Sequence, residues 1–445
     1  MSHIISPLFN SFTGIHAYKF CCTYIRKSNI QNNSIRQKRN MIEYGQNANR
    51  KVLSICFILF NTLVWFFVIT ITLERFLDYL NFERSSDIVV GCYYISVILF
   101  SLIGLLLSKK MNVITLFYIW NTLGAFSSFL LIPFAEYSLY QVVFIALILG
   151  ASLSIGFPSC LAKFSDLTVI NKRGFLAGLT FSMASFAAFP FTALVESHSL
   201  LLSSVILFIW RGTSFLAIIP LSKDESTRSE TGSQSFPSTK FSNKALTLYF
   251  IVWLLFCMVD RFEVPVLLSF FEQEYYRLLL FIESVIGSSF AIVGGLLCDY
   301  IGRKPVIIYG FISLGLAYAI LGIFPEISLS SYLYCIADGI SGGFLLTIFT
   351  LIIWGDLSGN ASAEFHYFIG NIPYFVANIF RVLFFKEKLV PITVSFSIAS
   401  FFLFLAVIPL LYAPETLPEK LIKQRELRKY IEKAKKLREK YEKKE

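Results

Sequence analysis

Charge is scarce in this sequence. Asp, Glu, Lys and Arg make up 15% of its 445 residues, against about 25% in soluble domains. With 56% hydrophobic and 17% aromatic residues, the chain has too little polar surface for an ordinary soluble domain. Histidine is rarer still: His3, His16, His198 and His366 are scattered and form no catalytic or ligand cluster. The eight cysteines show no metal-ligand spacing and no disulfide framework. Cys56, Cys92, Cys160, Cys257, Cys298 and Cys335 lie in or at the ends of apolar runs, where Cys acts as a small hydrophobe, while Cys21 and Cys22 lie in a polar N-terminal tail. No Walker lysine and no nucleophile elbow is present. These absences argue against an enzyme, a resident cofactor or metal, and ATP chemistry. The opening "MSHIISPLFNSF" has no basic stretch leading an apolar core, so it does not read as a signal peptide. Residues 1–40 are expected to lack fixed structure, and Met41 is a candidate second start.

What the chain has is long apolar runs. A hydrocarbon core takes about 20 apolar residues per spanning helix. Twelve stretches meet that length, near 52–74, 88–108, 112–133, 139–162, 174–195, 199–221, 245–270, 277–298, 306–324, 329–354, 366–385 and 390–412. None alternates polar and apolar residues, as the strands of a β-barrel would. The expected class is therefore all-α: a polytopic membrane protein of twelve transmembrane helices. The longest interior polar segment, "SKDESTRSETGSQSFPSTKFSNK", divides them six and six. The domain expectation is a basic tail over 1–51, a six-helix bundle over 52–221, a linker over 222–244, a second bundle over 245–413, and a basic helical tail over 414–445.

The net charge of +10 belongs to the tails. Residues 1–51 carry +7, residues 415–445 carry +5, and the middle carries −2. Basic tails beside membrane spans orient the chain and touch anionic lipid more often than they bind nucleic acid. Lys109, Lys110, Lys172, Arg173, Lys223, Lys244, Arg303 and Lys304 fall in loops on the side of both tails. Glu83, Asp87, Glu136, Glu196, Glu272, Glu274 and Glu326 fall on the opposite side, with Arg84, Arg277, Lys386 and Lys388 as exceptions. The positive-inside rule then places both termini in the cytoplasm, in the cell membrane. In the C-terminal tail, Leu421, Leu427, Ile431, Ala434, Leu437 and Tyr441 recur at helical spacing, with Glu432–Lys436 and Glu439–Lys443 at i,i+4. A helix lying on the cytoplasmic membrane face and a solvated helix fit this pattern equally.

The halves echo each other. Glu74-Arg75-Phe76 matches Asp260-Arg261-Phe262 at an offset of 186, Val113 matches Val306 at 193, and Asp166 matches Asp356 at 190. A nearly constant offset argues for duplication, and hence for two pseudo-symmetric six-helix bundles with a site at their interface.

The segment "GLLCDYIGRKPVIIYGF" places Asp299, Arg303 and Lys304 between two apolar runs, framed by Gly295 and Gly302. Its pattern, Gly295-x-x-x-Asp299-Tyr300-x-Gly302-Arg303-Lys304, resembles the signature loop of the major facilitator superfamily, with Tyr300 in place of the loop's first basic residue. The resemblance extends to the twelve spans, the central linker and the tails, over about residues 50–420. Pro414-Glu415-Thr416 is similar to the Pro-Glu-Thr that follows span 12 in the superfamily's sugar porters. Gly295 allows close helix approach and Gly302 a tight turn. Asp299 can accept from Arg303 and face the positive N-terminus of a neighbouring helix. The resemblance implies that this neighbour is span 5, starting beside Arg173 and Gly174, and that the contact latches the cytoplasmic side. The alternative reading is a loop that serves only membrane topology. In the first half, "GLLLSKKMN" keeps Gly104, Lys109 and Lys110 but has Ser108 where the acid belongs. The latch is therefore expected to be strong at spans 8–9 and weak at spans 2–3.

Ionisable residues inside spans are costly and mark a pathway or a partner. Asp260, Arg261 and Glu263 fall in span 7, followed by Pro265, and Glu74, Arg75 and Asp78 repeat the pattern in span 1. The resemblance implies that spans 1 and 7 line the central cavity, which makes these residues the first candidates; a pair anchoring its helix at the lipid interface is the other reading. Arg211, Glu283, Asp338 and Arg381 also fall inside apolar stretches. Glu283 and Arg381 are expected to pair structurally. Arg211 suits a carboxylate or phosphate, and Asn61, Asn371 and Asn378 can add hydrogen bonds; polar contacts within the bundle are the other, bland reading of these residues. Glu74, Asp260, Glu263 and Glu283 are candidates for carrying a coupling proton.

Taken together, the sequence predicts a monomeric secondary active transporter working by alternating access. Its partners would be a small-molecule substrate, the lipid bilayer and possible coupling protons. The substrate class is a small polar or charged solute, an organic anion or zwitterion first and a sugar next. The alternative is a non-transporting sensor on the same scaffold, favoured only by Ser108.

Overall fold

The structure is a computed structural model that describes residues 48–82, 85–133, 137–222, 243–359, 362–384 and 390–442. The expected N-terminal tail, nearly all of the linker, and Glu83, Arg84, Glu136, Lys223, Lys386 and Lys388 lie outside the described residues. Residues 54–445 form one compact unit. Among the described residues there are helices and no strands.

Ten helices are long and apolar enough to cross a membrane: α1 Ala48–Tyr79, α2 Ser86–Ser108, α3 Val113–Leu131, α4 Leu139–Leu167, α5 Arg173–Glu196, α6 Leu200–Ser222, α8 Gln273–Ile301, α9 Arg303–Ile323, α10 Ser328–Ser358 and α12 Ile392–Tyr412. Two more, α7 Asn243–Phe270 and α11 Ala363–Phe384, complete the expected twelve. These two carry the ionisable and amide residues Asp260, Arg261, Glu263, Asn371, Asn378 and Arg381 along their lengths. A final helix, α13 Glu419–Glu442, follows. The protein is a multi-pass membrane protein.

In hydrocarbon only a closed hydrogen-bonded backbone is tolerable, which is why the apolar runs become helices. Breaks occur where the sequence provides a reason. In α4 the helix is interrupted before Phe157, where Gly156 and Pro158 occur, and α10 contains a π turn over Ile348–Ile352. Asn112 caps α3 by accepting from Ile114 N at 2.7 Å. Between α8 and α9, Gly302 has φ 108°, a conformation that side chains with a Cβ disfavour.

The molecule is oily on its outside as well as inside. Leu99, Leu102 and Leu106 of α2 and Phe401, Ile408 and Leu411 of α12 are exposed, as a surface against lipid requires. The interior is filled by rings: Trp65, Trp120, Trp253 and Trp354 are among the largest fully buried side chains. The helices form two pseudo-symmetric six-helix bundles, α1–α6 and α7–α12. They meet along two seams, α5 against α8 and α2 against α11. The first seam is tight because it lacks side chains: a Cβ on Gly174 or on Gly295 would run into the other glycine's backbone oxygen.

Candidate functional site

At one end, here called the gate end, an ion-pair network joins the two bundles. Asp299, near the C-terminus of α8, accepts from Gly174 N at 2.9 Å and Phe175 N at 2.8 Å. These are free amides of the first turn of α5, where the helix dipole favours a carboxylate. Arg303 Nη1 lies 3.3 Å from Asp299 Oδ1. Arg303 is fully buried and also donates to Cys298 O at 2.8 Å, Ile170 O at 2.6 Å and Asp356 Oδ2 at 2.9 Å. The other oxygen of Asp356 pairs with Arg173 Nη1. Arg173 in turn donates to Ser165 O at 2.5 Å and Thr168 Oγ1 at 3.2 Å. One buried carboxylate at the end of α10 therefore ties the start of α5 to the start of α9.

The segment after α12 closes around the same point. Glu415 accepts from Arg303 N at 2.9 Å and Lys304 N at 3.0 Å, satisfying the first amides of α9 beyond the Gly302 turn. Lys304 Nζ donates to Leu411 O and Ala413 O, both at 2.9 Å. Tyr249 OH donates to Pro414 O at 2.7 Å. On the α2–α11 seam, Ser108 Oγ donates to Glu364 Oε2 at 2.6 Å. The sequence reading did not assign Asp356, Glu415 or Glu364 to this end. The repeat offset linking Asp356 to Asp166, and the Pro-Glu-Thr resemblance, were the available signals for the first two.

Between the bundles lies a cavity of about 340 Å³. Its wall combines α1 (Thr62, Phe66, Glu74), α7 (Trp253, Arg261) and α11 (Asn371, Tyr374, Asn378, Arg381) with Tyr94 of α2. A second space of about 340 Å³ shares Glu74 and Arg381 with it and adds Asp78 and Asp87, leading away from the gate end. Glu74, which is exposed, faces Arg381 across the two bundles. Arg261 Nε donates to Asp260 Oδ2 at 2.6 Å, and its guanidinium lies over the Tyr374 ring at 5.2 Å. Trp253 Nε1 donates to Gly370 O at 2.8 Å, which fixes the indole in the wall. Two buried polar atoms of this wall have no hydrogen-bond partner among the described residues: Arg381 Nε and Asn371 Nδ2. Both are donors. The cavity thus offers donors, aromatic faces and one accessible carboxylate, a set suited to a small solute rich in acceptors.

The structure brings together only some of the candidate residues. Glu74, Arg261 and Arg381 line the cavity, and Asp260 holds Arg261. Arg75 instead donates to Val195 O at 2.7 Å and His198 O at 3.0 Å, where it satisfies carbonyls at the end of α5. Arg211 is fully buried inside the first bundle. Glu263 lines a separate, mainly apolar space of about 380 Å³ between α7, α9 and α12. The expected Glu283–Arg381 pair is not formed. Glu283 packs against the Asp338–Gly339 turn of α10 inside the second bundle, while Arg381 lines the cavity between the bundles together with Glu74. The physical reason is helix rotation: Arg381 follows the inward face that also carries Asn371, Tyr374 and Asn378. Tyr94, Trp253 and Tyr374 were missed because aromatics are frequent throughout the chain and mark no single face.

No protein-family model matches the sequence, and no curated protein matches it. Solved structures do match. A variant of the E. coli fucose:proton symporter FucP superposes with a TM-score of 0.62 at 15% identity, over 82% of this chain and 98% of that one. The proton:xylose symporter XylE bound to 6-bromo-6-deoxy-D-glucose gives 0.60 at 15% identity, over 83% and 97%. The human organic anion transporter MFSD10 gives 0.56 at 14% identity, over 82% and 99%. Likeness at this level of identity concerns architecture, and the conclusion it carries is that this chain has the fold of the major facilitator superfamily transporters.

Proposed function

We propose that this protein is a secondary active transporter that moves a small, acceptor-rich organic solute by alternating access. The substrate class is an organic anion or zwitterion first, and a sugar next. The observation that carries the reading is the cavity between the bundles, which has two unpartnered donors, Arg381 Nε and Asn371 Nδ2, and lies beyond a closed ion-pair network at one end. Arg381 and Arg261 provide guanidinium groups suited to a carboxylate. Asp260 balances Arg261, and Glu74 balances Arg381, so the wall suits a net-neutral or singly charged solute. Glu74 is the cavity carboxylate placed to exchange a proton. By the positive-inside rule, the gate end with Arg173, Arg303 and Lys304 faces the cytoplasm, together with both tails, in the cell membrane. A sensor on this scaffold would bind its ligand without moving it. Its one support, Ser108 in the place of an acid, is weakened because Ser108 makes its own bond to Glu364 across the seam.

The test is a thermal-shift screen of small carboxylates, amino acids and sugars on purified protein, followed by proteoliposome flux with and without a pH gradient. The expected result is flux of a stabilising solute that Arg381→Gln lowers by roughly tenfold, the loss of about one charge-assisted hydrogen bond. With proton coupling, Glu74→Gln keeps exchange but loses the response to the gradient. Binding without flux refutes transport, and gradient-driven flux retained in both Glu74→Gln and Asp260→Asn refutes the coupling assignment.

A further inference from the structure

The first bundle contains a charge that the transport reading does not use. Arg211 of α6 is 0% exposed, and no Asp or Glu pairs with it among the described residues. The ionisable group that faces it is the buried Cys160 thiol. Its guanidinium lies 4.5 Å from the Trp120 ring centroid and 5.6 Å from that of Trp65. Nη1 donates to Thr62 Oγ1 at 2.5 Å and Asn61 Oδ1 at 3.3 Å. Nε and Nη2, the donors along one edge of the fork, have no partner among the described residues.

An isolated buried cation is among the most costly arrangements a protein can adopt, and arginine does not escape by losing its proton. Ring faces supply part of the counter-charge, but not acceptors for the Nε and Nη2 hydrogens. The surroundings are also unfinished. Asn121, 1% exposed, sits on α3 one turn before Gly124, which packs against the Arg211 side chain, and neither of its amide atoms has a partner. Ser214, one turn beyond Arg211, has an unpartnered buried hydroxyl. Arg211 thus presents two donors without an acceptor, and two more buried polar side chains with unmet hydrogen bonds lie one turn away along α3 and α6.

We propose that Arg211 holds a small inorganic anion, of the size and charge of chloride, inside the first bundle. The anion accepts from Nε and Nη2, with the Asn121 amide and Ser214 hydroxyl as additional donors. Trp65 and Trp120 enclose the guanidinium, which selects for a small ion over an organic one. Thr62 stands between this site and the central cavity, since it accepts from Arg211 and also lines the cavity wall. The inference does not rest on the transport reading.

The test uses purified full-length protein without substrate. Its unfolding midpoint is followed against chloride, bromide and gluconate, as sodium salts at matched ionic strength, and bound radioactive chloride is measured at equilibrium. The expected result is a saturable rise in midpoint with chloride and bromide but not gluconate, as for a ligand of the native state, with about one chloride bound per chain. Arg211→Met abolishes both signals. Arg211→Lys keeps the charge but loses the fork, and it weakens chloride affinity by roughly tenfold or more. Arg381→Gln, in the separate cavity, leaves the chloride response unchanged. Equal responses to chloride and gluconate, or no saturable bound chloride, overturn the proposal and leave water on these donors. So does a response that Arg211→Met retains or Arg381→Gln removes. If Arg211→Met does not fold, Asn121→Leu must weaken the chloride affinity; an unchanged affinity overturns the site.

Discussion

Replacing Asp356 with Asn should open the gate end. The Asp356 side chain is 0% exposed and pairs with Arg173 and Arg303, whose side chains are 9% and 0% exposed. Asn keeps the shape and one acceptor but removes the charge, so two buried guanidinium groups share a neutral carbonyl. Truncating one partner of a buried ion pair costs about 3–5 kcal/mol, and Asn belongs near the lower end because one hydrogen bond survives. The Arg173 arm of this cost falls on the closed arrangement, since it crosses from one bundle to the other. A penalty of ~3 kcal/mol shifts the ratio of closed to open molecules by roughly 100-fold. Spin labels at Lys172 and Tyr300, exposed positions on opposite sides of the α5–α8 seam, report the change by double electron–electron resonance. The expected outcome is one short distance in the parent protein and a second, longer population in the variant. Ser108→Ala, which loses a single hydroxyl–carboxylate bond at the half-exposed rim, should shift the ratio only about fivefold, for ~1 kcal/mol. If folded Asp356→Asn protein keeps the parent distance distribution, the network does not hold the gate and the reasoning fails.

Three further outcomes follow from the geometry. Gly295→Ala should prevent α5 and α8 from seating, because the added Cβ meets the Gly174 backbone and not a movable side chain; a loss of about 1–3 kcal/mol would appear as a lower unfolding midpoint and a lengthened Lys172–Tyr300 distance. Arg75→Ala should release the Val195 and His198 carbonyls at the end of α5, costing ~1 kcal/mol of stability, and leave substrate affinity unchanged in a binding titration. Trp253→Phe keeps the stacking with Phe349, at 4.8 Å between centroids, but leaves Gly370 O without its donor. A fall of ~1 kcal/mol in unfolding free energy is expected.

Helix number and the gate loop were legible in the sequence because each rests on a local pattern. A run of about 20 apolar residues has one solution in lipid, and the Gly295–Lys304 spacing carries its turn, its carboxylate and its cations in one segment. The geometry of Asp299 followed from the same logic, since an acid at a helix end needs donors and the first turn of α5 supplies them. The cavity was only half legible. Ionisable residues inside spans could be counted, but their facing depends on helix rotation, and one residue around the helix is about 100°. Asp260 and Arg261, adjacent in sequence, illustrate this: Arg261 lines the cavity, while Asp260 is identified through its bond to Arg261. Glu263, two residues further on, faces another space altogether. Arg75 read as a pathway residue because its neighbour Glu74 is one; its side chain caps α5 instead. Partners distant in sequence, such as Glu364 for Ser108, have no local signature.

The two seams show why the first-half loop differs without being empty. On the α5–α8 seam the carboxylate belongs to α8, and the donors are backbone amides at the start of α5. On the α2–α11 seam the carboxylate is Glu364, in the first turn of α11, and the donor is the Ser108 hydroxyl near the end of α2. The acid has crossed to the other side of the interface, so the position the resemblance assigns to it holds a donor. The exchange preserves a contact across the seam but changes its strength. Asp299 is held by two amides, a helix dipole and Arg303, whereas the single Ser108 hydroxyl hydrogen is shared between Glu364 Oε2 at 2.6 Å and Leu105 O at 3.0 Å. An opening motion that separates both seams together therefore meets most of its resistance at α5–α8. Weakening that seam should expose the cavity, and weakening the other should shift the balance far less. Introducing Asp at Ser108 would not restore symmetry, because it would set a second carboxylate against Glu364 at the distance of the present 2.6 Å bond, and like charges that close repel.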